Sequence, residues 1–181
     1  MVASRQLSIT VRVVDLTYST DITSEKSEIS LFTERKLLDP YWIVGFTSGD
    51  GYFHIKLAKN STFKLGMQVQ LVFQITQDFR DEEFMNSLIS NFNCGRVRLR
   101  KYKKDSTDHC MDFLVTSFAD IDQKIIPFFK EYKVHGVKLY DFKDWCRATE
   151  LIKSKAHLTE SGLDEIIKIK EGINTGRSLV V

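Results

Sequence analysis

Patterned metal-binding residues are missing from this sequence of 181 residues. Cys94, Cys110 and Cys146 are odd in number and lack zinc-like spacing, and the four histidines are scattered without a chelating pair. The thiols therefore read as reduced and structural, not as a disulfide framework or a zinc site. Long apolar runs are missing as well. None approaches the roughly 20 residues that a membrane-spanning helix needs, so no membrane partner is expected. Strong charge of one sign is also absent, and a formal net charge of +2 implies no partner by itself. A hydrophobic content of 43% is ordinary for a globular domain, and a chain of this length can bury one sizeable core.

What charge there is lies unevenly. Arg96, Arg98, Arg100, Lys101, Lys103 and Lys104 crowd into one short stretch. The segment that organises the rest is 39–51, DPYWIVGFTSGDG. Asp39 can cap a helix and Pro40 fits its first turn, where a missing N–H costs nothing. Along that helix Gly45 and Gly49 stand four apart with Ser48 beside them. With Val44 they define a small-residue seam where a second backbone could approach closely. Asp50 follows where the helix runs out, which carries a carboxylate to the end of the seam.

The flanking chain alternates between strand and helix patterns. Residues 3–14 read either as a strand, from the alternation of Leu7, Ile9, Val11 and Val13, or as a mitochondrial import sequence carrying Arg5 and Arg12. Residues 19–35 are polar and read as a linker. After the helix, 52–57 and 67–76 form a predicted hairpin around a turn at 59–66. Residues 78–93 predict an amphipathic helix, and 96–100 and about 109–116 two further strands. Ser117 or Asp120 can start the next helix, which Pro127 would kink or divide. Two helices close the chain, the last capped by Thr159.

This order predicts an α+β fold, αββαββα, in which helices cover the apolar face of a curved, antiparallel four-stranded sheet. The other face would carry glutamines on one strand and arginines on another. Glutamine can bond bidentately to adenine edges and arginine to guanine, whereas a lysine-rich loop would bind phosphates without reading sequence. The candidate nucleic-acid contacts are His54, Lys56, Lys59, Asn60, Ser61, Lys64, Gln68, Gln70, Gln74, Arg96, Arg98, Arg100, Lys101, Lys103 and Lys104.

The run IVGFTSGDG at 43–51, with Trp42 before it and Tyr52 and Phe53 after it, resembles the motif of the LAGLIDADG homing endonucleases. The likeness continues through FQITQ at 73–77, IIPFF at 125–129, GVKLYDF at 136–142 and the tail to Arg177. It is nearest to the carboxyl-terminal half of the two-motif members, so 38–177 is expected to form the domain, with 1–37 an extension and 178–181 a tail. The resemblance implies a sheet that saddles double-stranded DNA and a Mg²⁺-dependent hydrolase of phosphodiester bonds, active in intron homing. It implies metal binding by Asp50 and the Gly49 carbonyl, with Gln77 and Lys138 as further catalytic residues. A single motif implies a homodimer or a second LAGLIDADG half. The family's organellar genes point to the mitochondrion. Ser48 departs from the motif by replacing its first acid. The same sheet could instead hold structured RNA, as in a splicing maturase, with Asp50 idle.

Overall fold

The computed structural model describes residues 37–101 and 109–173, without the side chain of Lys101. The expectations for 1–36, for Lys103 and Lys104, and for 174–181 lie outside the described residues. The first helix, α1 (Pro40–Asp50), starts where expected, because the Asp39 carboxylate accepts from the N–H groups of Tyr41 at 2.7 Å and Trp42 at 3.2 Å. Strands β1 (Gly51–Lys59) and β2 (Met67–Asp78) pair antiparallel, Phe53 opposite Phe73. Asn60 closes their connection: its side-chain oxygen accepts from the Thr62 N–H at 3.1 Å, a local turn that asparagine favours.

The expected helix at 78–93 starts more tightly than its periodicity predicts. A 3₁₀ turn, Phe79–Asp81, precedes α2 (Glu82–Phe92) because the Asp78 carboxylate accepts from the Arg80 N–H at 3.0 Å. Strands β3 (Arg96–Lys101) and β4 (His109–Val115) follow, and β4 inserts beside β2 to give the antiparallel order β1-β2-β4-β3. Helical chain then runs through α3 (Phe118–Asp120), a π-helical segment (Ile121–Ile125) and α4 (Ile126–Glu131). Pro127 sits in the first turn of α4, where its missing donor does no harm, and the wider π turn precedes it. Helices α5 (Val137–Lys153) and α6 (Glu160–Gly172) complete the layer, and Thr159 caps α6 by accepting from the Gly162 N–H. No helix among the described residues is long and apolar enough to cross a membrane.

The core lies between one sheet face and the helices. Phe53, Phe73, Phe113, Phe129 and Trp145 are fully buried there. Phe129 meets Phe53 and Phe73 edge-on, with ring centroids 5.6 and 5.3 Å away, a preferred aromatic geometry. Losing one such ring to alanine costs about 3–5 kcal/mol. Trp145 also donates its Nε1–H to the His54 carbonyl at 2.9 Å, which ties α5 to the edge strand β1. Cys94, Cys110 and Cys146 are free thiols, and burial pushes those of Cys94 and Cys146 up to about 11, which keeps them protonated and unreactive.

Candidate functional site

Helix α1 and strand β1 meet without a linker. The Gly51 N–H closes the helix on the Thr47 carbonyl, and a Cβ on Gly51 would lie 2.4 Å from Thr47 Cγ2 and 2.6 Å from Thr47 O. Only glycine permits this approach, and it leaves Asp50 exposed as the last helical residue. A carboxylate at the negative end of a helix is electrostatically misplaced, by roughly 0.3–1 kcal/mol. Stability does not account for an acid there, whereas a bound cation would.

Two distant residues converge on it. Gln77, at the end of β2, donates Nε2–H to Asp50 Oδ2 at 3.0 Å. Lys138, in the first turn of α5, lies over the Tyr52 ring with Nζ 5.0 Å from its centroid. Burial pushes the Lys138 ammonium below its ordinary pKa, and the charges of Asp141 and Asp50 pull it partly back. The Tyr52 ring stacks in turn on His54, whose pKa is lowered by burial first and then by Lys56 and Lys138. The helix end therefore gathers a carboxylate, an amide, a partly desolvated amine and an imidazole.

Hard oxygens are the donors on offer, the Asp50 carboxylate and the last helical carbonyls, Gly49's among them, which lack intrahelical donors. That set fits Mg²⁺. It is incomplete, since no group of three or more His, Cys, Asp or Glu among the described residues could hold a metal ion.

The seam differs from expectation at one residue. Val44 is only 4% exposed and packs into the core with Ile43 and Thr47, because it lies on the face of α1 turned to the sheet. Ser48 turns its hydroxyl back to the Val44 carbonyl at 2.8 Å. The open side instead carries Trp42, 49% exposed, with Gly45 and Gly49. These three line a shallow depression with Phe46 and Asp50, and a Cβ on either glycine would meet nothing within 4 Å. Trp42 shares this open face, and its spacing to Gly45 and Gly49 places all three on one side of the helix.

On the sheet face away from the core, register lines up Tyr52, Gln74, Leu114 and Arg96 across the four strands, and Thr76, Asp112 and Arg98 in the next row. Lys56, Gln70, Arg96 and Arg98 are exposed there, with His54, Gln68, Gln74 and Arg100 half-buried. Lys59 at the end of β1 and Ser61 and Lys64 in the β1–β2 loop are exposed, while Asn60 donates to Gln68 Oε1 at 3.3 Å. Lys101 ends β3.

This face is not the uniformly polar, open surface that alternation predicts. Val72, Asp112 and Leu114 are buried in it, at 0%, 0% and 5% exposure. Asp112 accepts from Thr76 Oγ1 at 2.8 Å and Gln74 Nε2 at 3.1 Å, and pairs with Arg98 at 3.2 Å and Arg100 at 3.3 Å. Gln74 is thus not free to use both ends of its amide. An acid in mid-strand, where aspartate is disfavoured, was the signal for this network.

The sequence profile described as LAGLIDADG endonuclease matches residues 43–149. A probable intron-encoded endonuclease 2 of Neurospora crassa is 40% identical over 138 residues, which are 76% of this chain and 28% of that protein. Among solved structures, the meganuclease I-SmaMI bound to uncleaveable DNA is 47% identical with a TM-score of 0.71, over 77% of this chain and 45% of that one. The I-LtrWI LAGLIDADG homing endonuclease bound to target DNA is 41% identical with a TM-score of 0.73, over 79% and 46%. The chain thus spans under half the length of these solved relatives. With the motif helix, the four-stranded sheet and these matches in agreement, the chain belongs to the LAGLIDADG endonuclease family.

Proposed function

We propose that the chain is one half of a site-specific, Mg²⁺-dependent DNA endonuclease that acts as a homodimer in intron homing. The observation that carries this is Asp50, one exposed carboxylate at the foot of an open glycine face, which a second copy would complete into a metal site. A two-fold pairing of α1 across Gly45 and Gly49 would bring two Asp50 residues to one place beneath the sheets. Asp50 and the Gly49 carbonyl would hold the ion. Held there, Mg²⁺ would supply activation of the attacking water and neutralisation of the charge on the phosphoryl oxygens.

The chain's own side chains do the rest. Gln77 orients the Asp50 carboxylate through Oδ2. Lys138 Nζ, made easier to deprotonate by burial, can give up or take back a proton beside the scissile phosphate. Lys56, Arg96 and Arg98 are open to duplex DNA and supply phosphate and base contacts. The intron-encoded relative supports an organellar, mitochondrial setting.

A second reading is favoured by the coverage of 45% in I-SmaMI: α1 would then pair with a different half rather than its twin. The test is cleavage of a duplex pool in Mg²⁺ by the full chain, followed by sequencing of the ends. Staggered breaks at one site family, lost with EDTA and with a folded Asp50→Asn variant, support the proposal. Magnesium-independent tight binding to structured RNA, unchanged in Asp50→Asn, would overturn it. Cleavage only after a second half is added would favour the second reading.

A further inference from the structure

Asp112 is an anomaly on a surface meant for a polyanion. It is wholly buried in the middle of the outward sheet face, where its charge opposes DNA binding. Stability does not demand it, since apolar replacements of buried ion pairs are often neutral or stabilising. Its contacts indicate another use. Oδ1 accepts from Thr76 Oγ1 and Gln74 Nε2 and forms an ion pair with Arg100 Nη2, and Oδ2 accepts from Arg98 Nη2.

Thr76 spends its hydroxyl proton on Asp112, so what it offers Gln74 is a lone pair, and Gln74 Nε2 lies 2.9 Å from it. Both neighbours of that amide are therefore acceptors, which fixes its NH₂ inward and leaves Oε1 as the end available to a ligand. The arginines are anchored at a terminal nitrogen while their side chains stay 60% exposed at Arg98 and 37% at Arg100.

We propose that Asp112 is a specificity-determining positioning residue. It presents Gln74 as a hydrogen-bond acceptor and aims Arg98 and Arg100 as donors at neighbouring base edges of duplex DNA. This rests on the sheet meeting duplex DNA, as proposed above. An acceptor alone takes the amino group of either adenine or cytosine, whereas a free glutamine selects adenine bidentately, and the guanidinium groups favour guanine. Holding them in place before DNA arrives removes part of the ordering cost of binding.

The test is selection from a randomised duplex library, in Ca²⁺, by the full chain and by Asp112→Asn in parallel. The variant should lose roughly tenfold of its base preference at two or three adjacent positions and keep the rest of the motif. Its log affinity should also fall more steeply with log salt, by about one in slope, as released arginines move to phosphates. Uniform weakening at every position, or unchanged preferences, would overturn the proposal and leave duplex binding standing. A wild-type chain that selects no motif would overturn both. Should Asp112→Asn fail to fold, Thr76→Val decides. It frees one Gln74 amide hydrogen, so preference at that base pair should move from either amino-bearing base to adenine, and an unmoved preference refutes the network's role.

Discussion

Gly45 separates what α1 needs for its own stability from what it needs for a partner. Gly45 is interior to the helix and exposed, and a Cβ there meets nothing within 4 Å. In the isolated chain Gly45→Leu should therefore stabilise, because glycine in a helix interior costs about 0.5–1 kcal/mol relative to good helix formers. For a chain of this size that is a rise of roughly 1–4 °C in Tm. Across a two-fold seam the same side chain enters twice, and overpacking at about 1–3 kcal/mol per copy would weaken association roughly 30-fold or more. The assay pairs thermal unfolding of dilute protein with sedimentation over a dilution series and DNA cleavage. A lower Tm in the dilute chain would show that Gly45 packs within its own domain. Unaltered association and cleavage would refute the seam.

Two further outcomes follow from the site. His54 has a depressed pKa in the fold, so the unfolded chain binds its proton first, and stability should fall as pH drops below the ordinary value of 6.5. In His54→Gln that contribution, at most about 1.4 kcal/mol per pH unit, should vanish from urea titrations between pH 5 and 7. A slope identical to wild type would show that burial of this imidazole does not govern the pH dependence. Gly51→Ala forces a methyl into Thr47 and should cost about 1–3 kcal/mol while displacing Asp50. An unchanged melting curve would show that the helix–strand junction yields freely.

Local chemistry made most of the fold readable. Asp39 and Thr159 announce helix starts, and β2 turns Leu71, Phe73 and Ile75 to the core as its alternation predicts, although Val72 on the opposite face is buried as well and Leu99 in β3 stays exposed. Strand order was not readable, because the β2–β4 pairing joins residues far apart in sequence. The face of Val44 was also hidden, since a helix this apolar all round gives its periodicity little to say about which side meets the sheet. Asp50, Gln77 and Lys138 came from separate stretches through resemblance, and no spacing rule would join them. Asp112 escaped because alternation assigns a side chain to a face and does not say whether neighbours will close over it.

Mixing wild-type chain with Asp50→Asn at constant total concentration tests most directly whether cutting requires a carboxylate from each of two copies. At equal proportions, with subunits exchanging freely, double-strand cleavage should drop to about a quarter, the share of pairs in which both carboxylates remain. A drop to about a half would mean that each chain cuts alone, and would contradict the account.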